Sequence, residues 1–120
     1  MVGAQKFFNK KVTTEVGVFD SIGEYRLYQS LMQRKKAVKP EERVVTIERQ
    51  VRYPLAVNGQ KICTYVADFV VTFGDGRTKV IDFKNPYLAK GKGKSTPAGQ
   101  LFQVKRKLMK ALFGIEVEVV

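Results

Sequence analysis

Apolar and polar residues alternate along several stretches of the chain, which is the pattern of strands with one buried face. Residues 44–55 show it first, and the predicted buried positions are Val45, Ile47, Val51, Tyr53 and Leu55. Residues 62–73 are dense in β-branched and aromatic residues, as in a central strand. Asn58-Gly59 and the GDGR sequence at residues 74–77 are turn signals, so we predict a three-stranded antiparallel meander that ends with residues 78–84.

Two other stretches repeat apolar residues with helical spacing. Residues 21–36 are predicted to form the first helix, which closes with cations suited to a helix C-terminus. Its predicted apolar face consists of Leu27, Tyr28, Leu31 and Met32. The second helix is predicted over residues 98–113, with Thr96 as N-cap, Pro97 at the first helical position and Gly114 as its end. Its predicted apolar face consists of Leu101, Val104, Leu108 and Leu112 or Ala111.

The order of these elements defines the fold class. Residues 115–120 alternate as a last strand, which gives the order α-β-β-β-α-β and an α/β (α+β) fold. We expect a single domain over residues 1–120, with residues 1–19 as an N-terminal arm or strand. Residues 85–98, rich in Gly, Pro and Lys, are expected to form a flexible basic loop.

Charge narrows the possible partners. Lys and Arg number 22 against 11 Asp and Glu, so the formal charge is +11. This favours a polyanion, above all nucleic acid, with an anionic membrane surface or simple solubility as alternatives. Histidine is absent and Cys63 is the one cysteine, which excludes Ser-His and Cys-His nucleophiles and an intrachain disulfide. No signal-peptide core or membrane-spanning run is present, so a cytosolic protein is expected.

Three charged residues interrupt the two central predicted strands. Asp82 and Lys84 share one face of their strand, and Asp68 lies within the apolar run of the preceding one. Burying a lone carboxylate is costly, and two carboxylates in one pocket repel each other unless a cation joins them. Alternatively, Asp82 and Lys84 form a solvated ion pair on an exposed edge strand, and Asp68 ends a strand or bonds to a loop amide.

Glu24 has two interpretations. It lies on the same helical face as Leu27, Tyr28 and Leu31, so its carboxylate could join the acidic pocket. The Ser21-x-x-Glu24 sequence is also a capping box, in which Glu24 bonds back to the Ser21 amide. The sequence leaves both possibilities open.

Together these residues resemble the PD-(D/E)xK nuclease superfamily. The resemblance rests on a helical Glu, on Asp68 and on the Asp82-Phe83-Lys84 triplet fourteen residues later, and it covers residues 19–120. It is closest to small phage-type relatives of junction-resolving endonucleases, which share a strand glutamine like Gln50 and a basic helix like VKRKLMKALFG. Val66-Ala67 stands where a proline often precedes the first Asp, and the acid of the triplet is Asp.

The resemblance implies a restriction-endonuclease-like core with a mixed central sheet flanked by helices. It also implies an Mg²⁺ site, with Mn²⁺ as a substitute, held by Asp68, Asp82, Glu24 and Phe83. Lys84 would hold or deprotonate the attacking water, and Gln50 would position water or substrate. The implied function is a metal-dependent endonuclease from a phage or a bacterium that cuts branched DNA such as Holliday junctions. Alternatives are a nickase or restriction-like nuclease on duplex DNA, and a basic nucleic-acid-binding protein without catalysis.

The basic segment after the triplet is the candidate DNA-contacting surface. Residues 85–115 contain seven Lys and Arg and no acid. GKGKST resembles the end of a phosphate-binding P-loop, but Leu88 stands where its first Gly should be, so no nucleotide cofactor is expected. We predict contacts to the phosphodiester backbone, with a solvated loop as the alternative. The predicted DNA-binding residues are Lys90, Lys92, Lys94, Lys105, Arg106, Lys107 and Lys110.

A homodimer is expected on functional grounds. One chain offers one acidic cluster, whereas a four-way junction requires two symmetric cuts, and a two-fold dimer supplies both. The N-terminal segment carries apolar residues that could contact the partner or cover their own core. They are Phe7, Phe8, Val12, Val16, Val18 and Phe19.

Overall fold

The centre of the fold is a four-stranded mixed sheet. The structure is a computed structural model that describes residues 11–84 and 96–120. Its strands are β1 (Val12–Thr14), β2 (Gly17–Phe19), β3 (Val44–Val57), β4 (Gln60–Phe73), β5 (Thr78–Asp82) and β6 (Val117–Val119), and its helices are α1 (Ile22–Gln33) and α2 (Pro97–Phe113). β3, β4 and β5 are antiparallel neighbours, and β6 pairs parallel to β5. The predicted α+β fold class with a mixed sheet is confirmed.

Turn chemistry fixes the long hairpin of β3 and β4. Asn58 and Gly59 both have positive φ angles, 51° and 80°. Such a turn matches the right-handed twist of the flanking strands, and Asn and Gly adopt these angles at the lowest steric cost. Val57 pairs with Gln60 directly beside the turn, so the hairpin predicted from this dipeptide is confirmed.

Two core clusters lie on opposite faces of the sheet. Val80 and Ile81 are consecutive in β5, so their side chains point to opposite faces. Ile81 belongs to the cluster that packs with α1, and Val80 belongs to the cluster that packs with α2. The first cluster is Phe19, Leu31, Val44, Phe69, Val71, Phe73 and Ile81, and the second is Leu55, Tyr65, Ala67, Val70, Val80, Met109 and Val117. The sheet is therefore flanked by a helix on each side.

The structure corrects two buried positions near the start of the core. Val45, predicted to point inward, is 50% exposed, whereas Val44 is 1% exposed. The pairing of β3 with β4 shifts register between Val44 and Thr46, and this irregularity reverses the local alternation. In α1 the predicted core residue Met32 is 38% exposed, because the helix ends at Gln33 and a 3₁₀ turn follows over Arg34–Lys36.

The apolar face predicted for α2 is wrong except at Leu108, which packs against the second cluster. Leu101 and Val104 are both half-exposed, whereas Met109 is fully buried and Phe102 packs beside it against the second cluster. The helix is rotated about its axis so that these larger side chains meet the sheet, and the Phe102 ring centroid lies 6.5 Å from that of Tyr65. The ends of α2 are as predicted: the Thr96 hydroxyl accepts a hydrogen bond from an amide of the first turn, and Gly114 caps the C-terminus at φ 69°.

The two segments predicted as an arm and a loop are described only in part. Residues 11–19 form the small hairpin of β1 and β2, and Phe19 at its end is fully buried against α1. Phe19 therefore covers its own core, while Phe7 and Phe8 lie outside the described residues. Residues 96–98, predicted as the end of the basic loop, are the N-cap and first residues of α2. Lys90, Lys92 and Lys94 also lie outside the described residues.

Within residues 11–84 and 96–120, neither helix has the length and apolar character needed to cross a membrane.

Candidate active site

Asp68 and Asp82 face each other across the two central strands. β4 and β5 pair Phe69 with Ile81, and one further step in this antiparallel register sets Asp68 opposite Asp82. Asp82 is 5% exposed. One oxygen of Asp68, Oδ2, accepts a hydrogen bond of 2.8 Å from the Phe83 amide just after β5. The sequence prediction that these two acids share a pocket therefore agrees with the sheet geometry.

Lys84 completes the triplet beside Asp82. Its Nζ atom lies 3.1 Å from Asp82 Oδ2 and 3.8 Å from the centroid of the Phe102 ring on α2. The backbone of the triplet is bonded to β6, since Lys84 donates to the Val120 carbonyl and Val120 donates to that of Asp82. The ion pair considered from the sequence is present, but it lies on a central strand and is largely buried, not on an exposed edge.

Glu24 is a buried acid at the start of α1. Ser21 Oγ accepts a hydrogen bond of 3.1 Å from the Glu24 amide, so the Ser21 half of the capping box is formed. The Glu24 side chain is 4% exposed, and its Oε2 atom has no hydrogen-bond partner. Its nearest cation is Arg49, at 3.8 Å, which also donates to the Val18 carbonyl and stacks on the Phe19 ring. The Ser21 cap uses the Glu24 backbone amide and not its carboxylate.

Burial and mutual repulsion make these carboxyl groups weak acids. Burial first, and then the neighbouring Asp82 and Glu24, raise the pKa of Asp68 from 3.8 to about 8, although the hydrogen bond from the Phe83 amide lowers it. Burial first, and then Asp20, raise the pKa of Glu24 from 4.5 to about 7, although Arg49 lowers it. Negative charge is therefore costly here at neutral pH unless a cation shares it.

Asp20 is an acid that the sequence prediction missed. One carboxylate oxygen each from Asp20, Glu24 and Asp68 lie within 4.8 Å of one another. Asp20 directly precedes the N-cap Ser21 and stands four residues before Glu24, one helical turn away. This spacing could have been used to predict that Asp20 and Glu24 lie on the same side of the helix end. It does not indicate that Asp68 of β4 lies close to them.

Tyr65 is a second missed residue. It is 2% exposed, and its buried hydroxyl lies beside the Asp82 carboxylate. Burial raises its pKa, and the charges of Asp82 and Asp68 raise it further, which places the hydroxyl near both acids. A tyrosine in a strand of apolar pattern reads as a core residue, and only the tertiary fold shows where its hydroxyl points.

Gln50 and Phe83 occupy special backbone positions. Gln50 has a φ of 54°, rare for a residue with a side chain, and its Nε2 atom lies 3.4 Å from Asp68 Oδ1. The Phe83 ring packs against Gly23 of α1, where an added Cβ atom would collide with the ring. Gly23 thus permits α1 to approach the triplet closely.

We expect Gly23→Ala to destabilise the protein. Alanine favours a helix over glycine by about 1 kcal/mol, but here its methyl group would displace Phe83, and overpacking costs about 1–3 kcal/mol. The free energy of unfolding in urea should fall or at best stay level, whereas Ser30→Ala at an exposed position of α1 should raise it slightly. A clear gain in stability for Gly23→Ala would contradict the close packing.

The acids line an open cleft of about 660 Å³ between α1, the sheet and α2. Its lining residues are Lys11, Asp20, Ser21, Glu24, Gln50, Tyr65, Val66, Asp68, Asp82, Phe83, Lys84, Ala98, Leu101, Phe102 and Lys105. An acidic centre with lysines on its rim has room for a phosphate group and its counter-cation.

The four predicted DNA-binding residues of α2 have different surroundings. Lys105 lines the cleft, whereas Lys107 is exposed outside it. Arg106 donates to the Val117 carbonyl at 3.3 Å. Lys110 forms an ion pair with Glu116, the first acid after the basic segment. Only Lys105 among these four contributes its charge to the cleft.

The fold and its cleft define a mixed α+β protein with a cluster of neighbouring carboxylates. Residues 4–116 match the family model described as "Protein of unknown function (DUF1064)", and the chain belongs to this family. Searches of curated proteins and of solved structures gave no match.

Proposed function

We propose that this protein is a metal-dependent endonuclease that hydrolyses DNA phosphodiester bonds. The observation that carries the proposal is the convergence of Asp68, Asp82 and Lys84 with the buried Glu24 at one open cleft. The sequence resemblance to PD-(D/E)xK nucleases supports it, because the acids and the lysine of that pattern come from the corresponding elements. A purely structural role would not require several poorly compensated carboxylates beside a solvent-filled space.

The carboxylates fit a divalent cation of the Mg²⁺ type. Glu24 Oε2 is buried without a hydrogen-bond partner, and burial raises the pKa of Asp68 and of Glu24, so a bound cation would stabilise their ionised forms. Hard cations prefer such oxygens and keep several waters in an open cleft. When bound, Mg²⁺ or its substitute Mn²⁺ would polarise a phosphate oxygen and the leaving group.

Lys84 and Gln50 are the residues proposed to bind water and substrate. Lys84 is fixed between the Asp82 carboxylate and the Phe102 ring, so its ammonium group has a defined place at the cleft. From there it can hold the attacking water or a phosphate oxygen. Gln50 is bonded to Asp68 and projects from an exposed backbone kink, which suits a group that orients water.

DNA binding is proposed from the charge distribution. The formal charge of +11 attracts a polyanion, and Lys105 stands on the rim of the cleft. Lys90, Lys92 and Lys94 follow the triplet in sequence and are proposed to contact the backbone near the scissile bond. The preference for branched DNA rests on the resemblance alone.

Lys105→Ala should weaken DNA binding more than Lys110→Ala. Lys105 is a cleft residue, whereas the Lys110 charge is already shared with Glu116. Each phosphate contact releases about one counterion, so Lys105→Ala should reduce the slope of log K against log salt by about 1. Fluorescence anisotropy at several salt concentrations measures both variants, and equal slopes for them would contradict this surface.

The cleavage test uses a labelled four-way junction and a linear duplex of the same sequence, each with and without Mg²⁺. Mg²⁺-dependent, symmetric cuts in the junction alone support the proposal in full. Cuts in both substrates indicate a nickase or a restriction-like nuclease. Tight binding without any cut, in Mg²⁺ and in Mn²⁺, overturns the proposal in favour of a basic nucleic-acid-binding protein.

We further propose that the active form is a homodimer in the cytoplasm of a bacterial cell. Two cutting centres are needed for a junction, and α2 presents apolar residues that the described part of the chain leaves uncovered. They are Leu101, Val104, Leu112 and Phe113, each 36–50% exposed. Light scattering at micromolar concentration, with and without junction DNA, tests the dimer, and a monomer in both conditions refutes it.

A further inference from the structure

A second basic surface runs along α1 and the turn that follows it. Between Glu24 and Glu41 the chain has five cations and no acid. All five are exposed, and within the described residues none of them forms an ion pair. They are Arg26, Arg34, Lys35, Lys36 and Lys39. Exposed helices commonly mix charges of both signs, so this stretch has an unusual, uniformly positive surface.

The solvent face of α1 joins this charge to the cleft. Arg26, Gln29, Ser30 and Gln33 are all exposed, and their spacing places them in one row along the helix. Arginine, glutamine and serine side chains are hydrogen-bond donors that commonly contact phosphate oxygens. The row begins one turn from Glu24, which lines the cleft, and it ends at the basic 3₁₀ turn.

The far end of the row is held by an aromatic ring. Three cationic groups lie near the centroid of Phe73, at 5.2 Å for Arg34, 4.9 Å for Arg77 and 5.7 Å for Lys79. Arg77 and Lys79 also pair with acids of their own, whereas Arg34 forms no such pair within the described residues. Long cationic side chains often cover apolar rings, which accounts for Arg34 but not for the exposed Lys35 beside it.

The length of α1 sets the distance between this turn and the cleft. The helix has 12 residues, which at about 1.5 Å per residue span about 18 Å. One strand of B-DNA advances about 3.4 Å per nucleotide along its axis, so about five base pairs cover this distance. A duplex arm that leaves the cleft along α1 would therefore reach the basic turn within half a helical turn of DNA.

We propose that the exposed row of α1 and the Arg34–Lys36 turn form a second phosphate-binding surface, the α1 track, for a duplex arm beside the cleft. Its ligand is the phosphodiester backbone, so its contribution is independent of base sequence. The row is polar, whereas a helix that lies on a membrane inserts an exposed apolar face, and this favours a nucleic acid over an anionic lipid surface. The inference rests on the proposed binding of DNA but not on cleavage.

The test is a triple variant, Arg26→Gln, Lys35→Gln and Lys36→Gln, that removes charge at both ends of the α1 track. Arg34 is retained because it covers the Phe73 ring. Anisotropy with a 20-base-pair duplex of about that length, in EDTA at several salt concentrations, measures binding without cleavage. The slope of log K against log salt should fall by about 2–3, and affinity near 0.15 M salt should fall at least about tenfold.

The matched control removes the same charge from exposed positions of three other elements. It carries Arg52→Gln on β3, Lys61→Gln on β4 and Lys107→Gln on α2. If position matters and not net charge alone, the slope of this control should fall by less than about 1. Equal slopes for the two triple variants would overturn the α1 track. Circular dichroism melts check folding, and the double variant Lys35→Gln, Lys36→Gln, with an expected fall of about 2, replaces the triple variant if that one unfolds.

The remaining outcomes separate this inference from the nuclease proposal. A reduced slope in a protein that cuts no DNA leaves the α1 track in place and removes the enzymatic function. Mg²⁺-dependent cleavage with an unchanged slope does the reverse. If the wild type binds no DNA, both fail. Binding to phosphatidylserine vesicles that only the α1 variant loses, without a change in its DNA slope, would assign the surface to a membrane and refute the inference.

Discussion

Asp82→Asn is expected to lower the rate of DNA cleavage by about a hundredfold or more, because a bound cation contributes several kcal/mol of charge stabilisation and Asp82 is one of its proposed ligands. Binding of DNA should be unchanged or tighter, because one negative charge that faces the phosphate is removed. Single-turnover cleavage in Mg²⁺ and anisotropy binding without metal measure the two effects separately.

The matched control is Asp75→Asn, which removes an equal charge at an exposed position paired with Arg77. It should cleave at the wild-type rate. Asp82 is 5% exposed, so thermal melts must show that the Asn variant is folded before its loss of activity is interpreted. Cleavage at a normal rate by folded Asp82→Asn refutes the site.

Lys84→Ala separates the role of the lysine from that of the metal. The ammonium group is 3.1 Å from Asp82 and does not hold the cation, so the variant should lose cleavage while it still binds Mn²⁺. Removal of this charge leaves Asp82 without its partner, so Mn²⁺ affinity should rise or stay constant. A parallel loss of metal binding would assign Lys84 a structural role instead.

Local signals in the sequence were sufficient for the order of the elements from α1 onward, but not for the β1–β2 hairpin before it. Asn58-Gly59 requires a tight turn with positive φ, and Thr96-Pro97 with Gly114 encloses α2, so these boundaries depend on neighbouring residues alone. The central position of β5 was also recognisable from its apolar neighbours. These features rest on short-range steric and hydrogen-bonding rules, which a sequence states directly.

Features that depend on tertiary contact were not predictable. The α2 stripe of Leu101 and Val104 has good helical spacing, but the fold buries Phe102 and Met109 because the sheet offers space for larger side chains there. Val45 was misplaced for a similar reason, since a register shift cannot be read from alternation. Periodicity shows that one face of an element is apolar, but it does not show which other element that face packs against.

The residues of the sequence motif were predicted as part of the candidate site, whereas two residues at the edge of the site were missed. Asp68, Asp82 and Lys84 stand out because charged residues interrupt apolar strands, and the sheet register brings them together. Asp20 and Tyr65 carry no comparable signal. An acid before a helix is common near N-caps, and a tyrosine in a strand belongs to ordinary cores, so only the folded chain reveals their place in the cleft.

The metal-free protein is expected to lose stability as pH rises from about 5 to 9. The pKa of Asp68 is raised to about 8 and that of Glu24 to about 7, both by burial first and by neighbouring acids second. The folded protein therefore retains protons that the unfolded chain releases above its ordinary carboxyl pKa near 4. The resulting stabilisation is complete below about pH 4 and is lost as pH rises through 7 and then 8.

Three features make this prediction specific. The chain has no histidine, so no imidazole contributes between pH 5 and 8. Pairing with Arg77 and Lys110 lowers the pKa of Asp75 and of Glu116. These two acids therefore make the folded protein more stable as pH rises, and their contribution changes only in the acidic range. Asp68→Asn should remove the largest part of the decline, since an amide does not ionise and relieves Asp82 of its like-charged neighbour.

Divalent cations should reverse the trend. Mg²⁺ binds the ionised carboxylates, so the thermal midpoint should gain little at pH 5 and several degrees at pH 8, where deprotonation no longer competes with the metal. Differential scanning calorimetry across this pH range, with Mg²⁺ or with EDTA, measures both slopes for the wild type and Asp68→Asn. A midpoint in EDTA that rises steadily from pH 5 to 8 would show that these acids are ionised at little cost in the folded protein, and the electrostatic reason for a cation in the cleft would then be lost.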